Sequence, residues 1–228
     1  MRTGSRSSKN PSSPRATSTT RKIARLVAVN TKLGEMYRSV CAYPGRPGFY
    51  TSDKGADHDY IDSYYAAEFE GKRESVLNVL ELGVQWGGSL MLWSSWFPNA
   101  KVIGLDIYEG VPGHYDEMRG EREFPNVEIR IQDGYSKQVI AEHENDFYDY
   151  VIDDGPHSIA SMVMAIHMWL PKVKPGGKLV IEDIQDYSWF EKLEKEVEAT
   201  GIDAEFRRFD FRKNKNRSDD MIFEVSRK

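Results

Sequence analysis

One cysteine, Cys41, is all these residues contain. That excludes a disulfide within them, and with no base beside it the thiol gives little reason to place a nucleophile. No apolar run reaches the roughly 18 residues that a membrane span requires. An excess of positive charge is missing too: 31 Lys and Arg against 36 Asp and Glu leave a formal net charge of -5. That balance argues mildly against a nucleic-acid partner. Acids are absent from the first 34 residues, which hold eight Lys and Arg and many Ser and Thr before Glu35. Residues 1–21 read as a disordered basic tail, because a polar stretch without aromatics cannot repay its ordering entropy. The competing reading is an organellar targeting segment, which would be Arg- and Ser-rich and poor in acids. The compartment stays open, cytoplasmic by default.

What is present suffices for a folded unit. About 200 residues bury roughly 70% of their unfolded surface and need no covalent staples. Residues 22–228 read as one domain, with an N-terminal helical cap over 22–70 in which residues 57–69 form an amphipathic helix. Beyond it, apolar runs and helical patterns alternate. Strands are expected at 75–82, 101–106, 127–132, 148–153 and 177–182, and helices at 88–97, 136–143 and 158–173. Such alternation implies right-handed crossovers and a mainly parallel sheet covered on both faces, an α/β Rossmann-like sandwich. Segments 204–211 and 221–225 flank Arg212-Lys213-Asn214-Lys215-Asn216-Arg217 and are expected to close the seven-stranded sheet as an antiparallel hairpin. Residues 110–124 are expected to be a polar loop.

Two of the strands stop on paired carboxylates: Val151-Ile152-Asp153-Asp154-Gly155-Pro156-His157 and Leu179-Val180-Ile181-Glu182-Asp183. Open α/β sheets bind ligands in the crevice outside their strands' carboxyl ends. Four carboxylates and an imidazole there suit a hard divalent cation such as Mg²⁺, which prefers oxygen ligands. The blander role for Asp153, Asp154 or Ser158 is to cap the helix that follows.

The first strand runs into Glu81-Leu82-Gly83-Val84-Gln85-Trp86-Gly87-Gly88-Ser89. Its glycines let a ligand approach the backbone, but the spacing is not the G-x-G-x-x-G dinucleotide fingerprint. The second strand ends on Asp106, an acceptor placed for ribose hydroxyls. The third ends on Gln132-Asp133, where a carboxylate can accept from an adenine amino group.

This series resembles the class I S-adenosylmethionine-dependent methyltransferases. With Leu90, Trp93, Phe97-Pro98-Asn99-Ala100 and Gly104-Leu105-Asp106-Ile107 it is similar to the macrolide-sugar O-methyltransferases of the mycinamicin and macrocin type. Cephalosporin-hydroxylase-like proteins are relatives of that family. Upstream, Thr51-Ser52-Asp53-Lys54-Gly55 with His58 and Tyr60 is similar to a segment that the family carries before its first strand. The resemblance covers about residues 51–186 and does not include the large extra N-terminal domain of some members.

The resemblance implies S-adenosylmethionine against Glu81, Gly83, Gly88, Ser89, Asp106, Asp133 and Asp153. It implies Mg²⁺ or another divalent cation on Asp154, Glu182 and Asp183, and His157 as general base. The acceptor would be a small molecule or glycan with adjacent hydroxyls, its contacts sought in 43–50, 110–124 and 187–190. A catechol or polyphenol acceptor would need the same chelating oxygens. A nucleic-acid methyltransferase using the basic hairpin and a non-catalytic scaffold are the further alternatives, and homo-oligomerisation stays open. An iron hydroxylase finds no support, since such a site favours two His and one carboxylate. Of the other histidines, His167 is expected near the core, His114 and His143 in solvent, and His58 over the cofactor. Trp93, Trp96 and Phe97 are expected in the core.

Overall fold

A computed structural model describes residues 31–228; the basic segment at 1–21 and the start of the helical cap at 22 lie outside them. In chain order the elements are α1 (Lys32–Val40), a π-helical turn (Ile61–Tyr65) continued by α2 (Ala66–Phe69), β1 (Asn78–Leu82), α3 (Gly88–Trp96) and β2 (Lys101–Asp106). There follow α4 (Val111–Arg119), β3 (Val127–Ile131), α5 (Lys137–Ala141), β4 (Tyr148–Asp153) and α6 (Ile159–Trp169). After a 3-10 turn (Leu170–Lys172) come β5 (Val173–Ile181), α7 (Trp189–Ala199), β6 (Ala204–Asp210), α8 (Arg212–Lys215) and β7 (Met221–Arg227). No described helix is long and apolar enough to cross a membrane.

The seven strands lie in the order β3-β2-β1-β4-β5-β7-β6, and only β7 runs against its neighbours. The expected mainly parallel sheet with its closing antiparallel hairpin is borne out. The chain works outward from β1 to β3, then crosses back to place β4 on the other side of β1. That reversal opens the crevice at which sheets of this kind bind ligands.

Period-two alternation divides the strand side chains between two cores. Val79, Val102, Tyr150, Ile152 and Val180 meet Leu33, Tyr37, Tyr65, Phe69, Trp93 and Phe97 on one face. Leu80, Leu82, Val151, Leu179 and Ile181 meet Ile140, Ile166, Trp169, Phe190 and Leu193 on the other. The tryptophans and Phe97 expected in the core are buried there. The same alternation directs the carboxylates. Glu81 and Glu182 follow Leu80 and Ile181, so both turn toward the face covered by α1, α2 and α3.

Several expectations need correction. Residues 110–124 are not a loop: Pro112 stands in the first turn of α4, where a missing N–H costs nothing, and only Val111 and Met118 are buried. The helix expected over 57–69 begins at Ile61, with a π-helical first turn. His143 is buried against Trp169, with its Nδ1 2.5 Å from the Tyr148 hydroxyl, while His114 stacks on Trp86 at 4.4 Å. His167 is exposed and pairs with Glu196 at 2.8 Å; Ile166 and Trp169 occupy the buried side of that helix. α7 lies outside the expected helices, and its Phe190, Leu193 and Val197 face the core.

Burial, with Arg130 adding to it, holds the His143 imidazole below its ordinary value. The unfolded chain therefore takes up this proton first as pH falls below about 6.5. Stability should drop on acidification toward pH 5 by an increment that His143→Gln removes. Identical acid slopes for the two proteins in urea titrations would refute a buried neutral imidazole.

Candidate active site

A cavity of about 440 Å³ sits over the carboxyl ends of β1, β2, β3 and β4. Gly83, Val84 and Gln85 wall it after β1, Asp106 and Ile107 after β2, Asp133 and Tyr135 after β3, and Asp154 through His157 after β4. Gly83 is required here. Its φ is +86°, and a Cβ would lie 2.0 Å from the Asp154 carbonyl oxygen, so the two strand-end loops touch only because the side chain is missing. At the β2 end, Asp106 Oδ2 accepts from the Val84 and Gln85 amides at 2.8 and 3.2 Å. Its Oδ1 accepts from Tyr108 N at 2.8 Å, so one carboxylate binds the glycine loop to β2. Asp133 Oδ1 accepts from Tyr135 N at 2.9 Å.

Of the residues that the resemblance assigns to the cofactor, Gly83, Asp106 and Asp133 line the cavity. Gly88 and Ser89 lie in the first turn of α3, with Gly88 packed against Thr51. Asp153 is buried behind Tyr135, whose hydroxyl donates to Asp153 Oδ1, while Oδ2 has no partner. Burial pushes the Asp153 carboxyl up to about 7 against the lowering bonds from Tyr135 and Gly155. Glu81 is buried away from the cavity and accepts from the Trp93 indole N–H at 2.8 Å.

Asp154 and His157, which line the cavity, gather with the buried Asp183, one ligand atom of each within 4.8 Å of the others. His157 Nε2 is 3.9 Å from Asp154 Oδ1 and 3.6 Å from Asp183 Oδ2. Both His157 and Asp183 hold left-handed backbone, φ 51° and 55°, a conformation that non-glycine residues adopt at a cost. The turn at Asp183 breaks strand alternation: its buried carboxylate meets Tyr60, His58 and His157, whereas that of Glu182 meets Lys54 and Tyr65. Capping does not engage these acids: Ser158 itself caps α6, in a reciprocal pair with Ser161. Burial lowers the His157 imidazole's affinity for a proton; Asp183 opposes this and Lys54 reinforces it.

A cation from an earlier loop organises the rest. The Lys54 ammonium is fully buried, 2.6 Å from Asp154 Oδ2 and 3.3 Å from Glu81 Oε1, and donates a short bond to Glu182 Oε2. Tyr65 donates to the other Glu182 oxygen at 2.5 Å. Burial would pull a proton off this lysine, but Asp154, Glu182 and Glu81 outweigh it and keep the ammonium charged. One ammonium does not neutralise its surroundings. Burial pushes the Asp154 carboxyl well up, and with Asp183 nearby it raises Glu182 to about 7. The donor set of hard oxygens with surplus negative charge fits a divalent cation at Asp154 and Asp183. Glu182, the third expected ligand, accepts from Lys54 and Tyr65.

The loop carrying Lys54 is itself fastened. Asp183 Oδ1 accepts from the Tyr60 hydroxyl at 2.7 Å and lies 3.4 Å from His58 Nδ1, which is also 3.4 Å from Asp220 Oδ1. Burial would lower the His58 imidazole, but Asp220 and Asp183 raise it above its usual value. His58 thus braces Asp183 and does not line the cavity. From the hairpin, Lys215 Nζ donates to the Gly55 and Ala56 carbonyls at 3.0 and 2.8 Å, and Asn214 donates to Asp59 at 2.6 Å. Sequence reasoning missed the role of Lys54. Its signal was an apolar-poor stretch with a single lysine between Asp53 and Gly55, while its partners lie 100 and 128 residues away.

Residues 80–184, which contain both acidic strand ends, match the family model described as a methyltransferase domain. This stretch is similar to that family's domain. Around it, the chain is 34% identical over 148 residues to mycinamicin VI 2''-O-methyltransferase of Micromonospora griseorubida, covering 62% of this chain and 35% of that protein. It is 32% identical over 162 residues to 8-demethyl-8-(2-methoxy-alpha-L-rhamnosyl)-tetracenomycin-C 3'-O-methyltransferase of Streptomyces olivaceus, covering 65% and 39%. The chain thus spans little more than a third of the length of these relatives. In fold it matches the MycE methyltransferase of the mycinamycin biosynthetic pathway in complex with Mg and SAH: TM-score 0.59, 22% identity, 88% of this chain and 55% of that one. The resemblance to macrolide-sugar O-methyltransferases read from the sequence is borne out. Lys54, Tyr60 and Tyr65 precede the matched methyltransferase domain, yet complete its acidic pocket.

Removing one member of a buried ion cluster strands the others. Lys54→Met should therefore destabilise the protein by about 3–5 kcal/mol in urea unfolding. A midpoint equal to that of the unaltered chain would mean that the ammonium is not held as described.

Proposed function

We propose that the protein is an S-adenosylmethionine-dependent, divalent-metal-dependent O-methyltransferase whose acceptor is a sugar hydroxyl of a natural product or glycoconjugate. The observation that carries this reading is a single cavity with ribose- and adenine-type acceptors, Asp106 and Asp133, at one end and Asp154 and His157 at the other, with the buried Asp183 carboxylate within reach of both of the latter. The relatives' activities on sugar-bearing natural products support the same acceptor class. Residues 31–79 are read as part of the same unit, because Lys54, Tyr60 and Tyr65 complete the site.

S-adenosylmethionine supplies the methyl group, and a divalent cation held by Asp154 and Asp183 would supply acidification of a chelating hydroxyl. This chain's own residues do the rest. Asp106 and Asp133 accept hydrogen bonds from the ribose and adenine. The Gly83 loop lets the backbone approach the cofactor. Kept neutral by burial, the His157 imidazole receives the acceptor hydroxyl's proton at Nε2. Gly83, Asp154 and Gly155 wall the cavity, and holding an acceptor against a bound cofactor there would supply much of the acceleration.

A polyphenol acceptor is a second reading, favoured by Ile107, which lines the cavity, and its neighbour Tyr108; they stand 74% and 58% exposed and would accept a flat ring. Against a nucleic-acid acceptor stands the engagement of the hairpin's cations. Arg207 pairs with Glu224, Arg208 with Glu194, Arg212 with Asp210 and Arg217 with Asp219, which leaves little charge to track phosphates.

Calorimetric titration with S-adenosylmethionine should show saturable binding that Asp106→Ala weakens by about one to two orders of magnitude, the worth of a hydrogen bond to a charged group. Absence of binding would remove the cofactor assignment. His157→Ala should lower turnover by roughly 10²–10⁴-fold while leaving cofactor affinity intact; full turnover in that variant would leave the site without its base.

A further inference from the structure

Four carboxylates line the cavity, Asp53, Asp106, Asp133 and Asp154, and no lysine or arginine stands among its lining residues. Three of the four have donors. Asp106 accepts from the Val84, Gln85 and Tyr108 amides, Asp133 from Tyr135 N, and Asp154 from the Lys54 ammonium. Among the described residues, no hydrogen bond reaches the Asp53 carboxylate, and its single ion pair is with His58 Nε2 at a long 4.0 Å. Its side chain is 44% exposed, and it lies outside the group that Asp154, His157 and Asp183 form. Backbone holds it in place: the Asp53 carbonyl accepts from the Asp57 and His58 amides, both at 2.9 Å. On the next residue, Lys54 is buried against Asp154 and Glu182. The loop is thus fastened inward by Lys54 and leaves Asp53 on the cavity wall.

We propose that the Asp53 carboxylate binds the α-ammonium of S-adenosylmethionine. This rests on the cofactor reading above and adds a residue to it. Asp106 and Asp133 take the nucleoside at one end of the cavity, so the methionine part runs toward Asp154 and His157. The charge of Asp53 acts on both of those residues, which puts it at that end. The cofactor carries two positive centres, sulfonium and ammonium, against one carboxylate. It meets a lining whose charged groups are all acidic except the His157 imidazole. A sulfonium has no hydrogen to donate, whereas an ammonium has three N–H donors and gains most from an ionised acceptor. A neutral acceptor hydroxyl gains less from the same carboxylate. Asp53 is the lining carboxylate that still has no donor of its own.

The test is calorimetric titration of the full chain with S-adenosylhomocysteine and with its deaminated analogue, in which hydrogen replaces the ammonium; weak binding is read by displacement. The unaltered chain should prefer S-adenosylhomocysteine by about 10–100-fold, the scale of a hydrogen bond between charged groups. Asp53→Asn keeps the side chain's size and removes its charge. It should lose about tenfold or more of that preference, by binding S-adenosylhomocysteine more weakly and the analogue as before. Its urea midpoint should match that of the unaltered chain, because backbone groups and Lys54 hold the loop. An undiminished preference in Asp53→Asn overturns the proposal, as does an equal loss for both ligands, which would mark a general disturbance of the cavity. Lack of any preference in the unaltered chain overturns it too. In each of those cases the unaltered chain still binds, and the cofactor reading stands. Binding of neither ligand by the unaltered chain overturns both.

Discussion

A carboxylate removed from water must meet a cation or several donors, and this chain brings Glu81, Asp154, Glu182 and Asp183 to adjacent strand ends. The Lys54 ammonium is the one buried cation that three of them share among the described residues. Much of the surrounding structure follows from bringing it there. The 51–60 loop is drawn over the ends of β1 and β5, the π-helical turn before α2 supplies Tyr65 to complete Glu182, and Gly88 lacks a side chain so that Thr51 can lie on α3. The ligand crevice therefore has a charged floor, and the cavity takes its shape from what that floor holds still.

Around this floor, backbone conformation sorts residues that sequence places side by side. Asp153 faces Tyr135 on one side of the sheet, and Asp154 turns to the cavity and Lys54. Glu182 and Asp183 are both buried, but Asp183's own left-handed backbone gives its carboxylate different partners. Paired acids thus become four separate roles. His157, in the same strained conformation, reaches between Asp154 and Asp183 from the far wall.

Much of this was legible in the residues. Strands at 101–106 and 148–153 and the start of α3 at Gly88 fall where apolar runs and glycines put them, because buried parallel strands carry a strong local signal. Gly83, Asp106, Asp133, Asp154 and His157 line one cavity, since strand ends share a crevice whatever the detail of the loops. The illegible parts depended on partners far along the chain. Nothing local to Lys54 announces Asp154 or Glu182. α4 hid because only Val111 and Met118 face inward. The histidines misled through their neighbours: His143 sits among Glu142, Glu144 and Asn145 yet turns to Tyr148, whereas His167 lies among methionines on the wet side of its helix.

The clasp between the hairpin and the 51–60 loop has a consequence for the order of assembly. Lys215 and Asn214 hold carbonyl and carboxylate groups some 155 to 160 residues earlier, and Asp220 stands against His58. Contacts so distant along the chain form late, after the entropy of closing the intervening loop has been met. During synthesis the nascent chain can build β1 through β5 and still lack the bracing that seats Lys54. Competence for chemistry thus arrives with the hairpin, well after the sheet's centre exists, and a ribosome-bound intermediate would carry the crevice without its fixed charge.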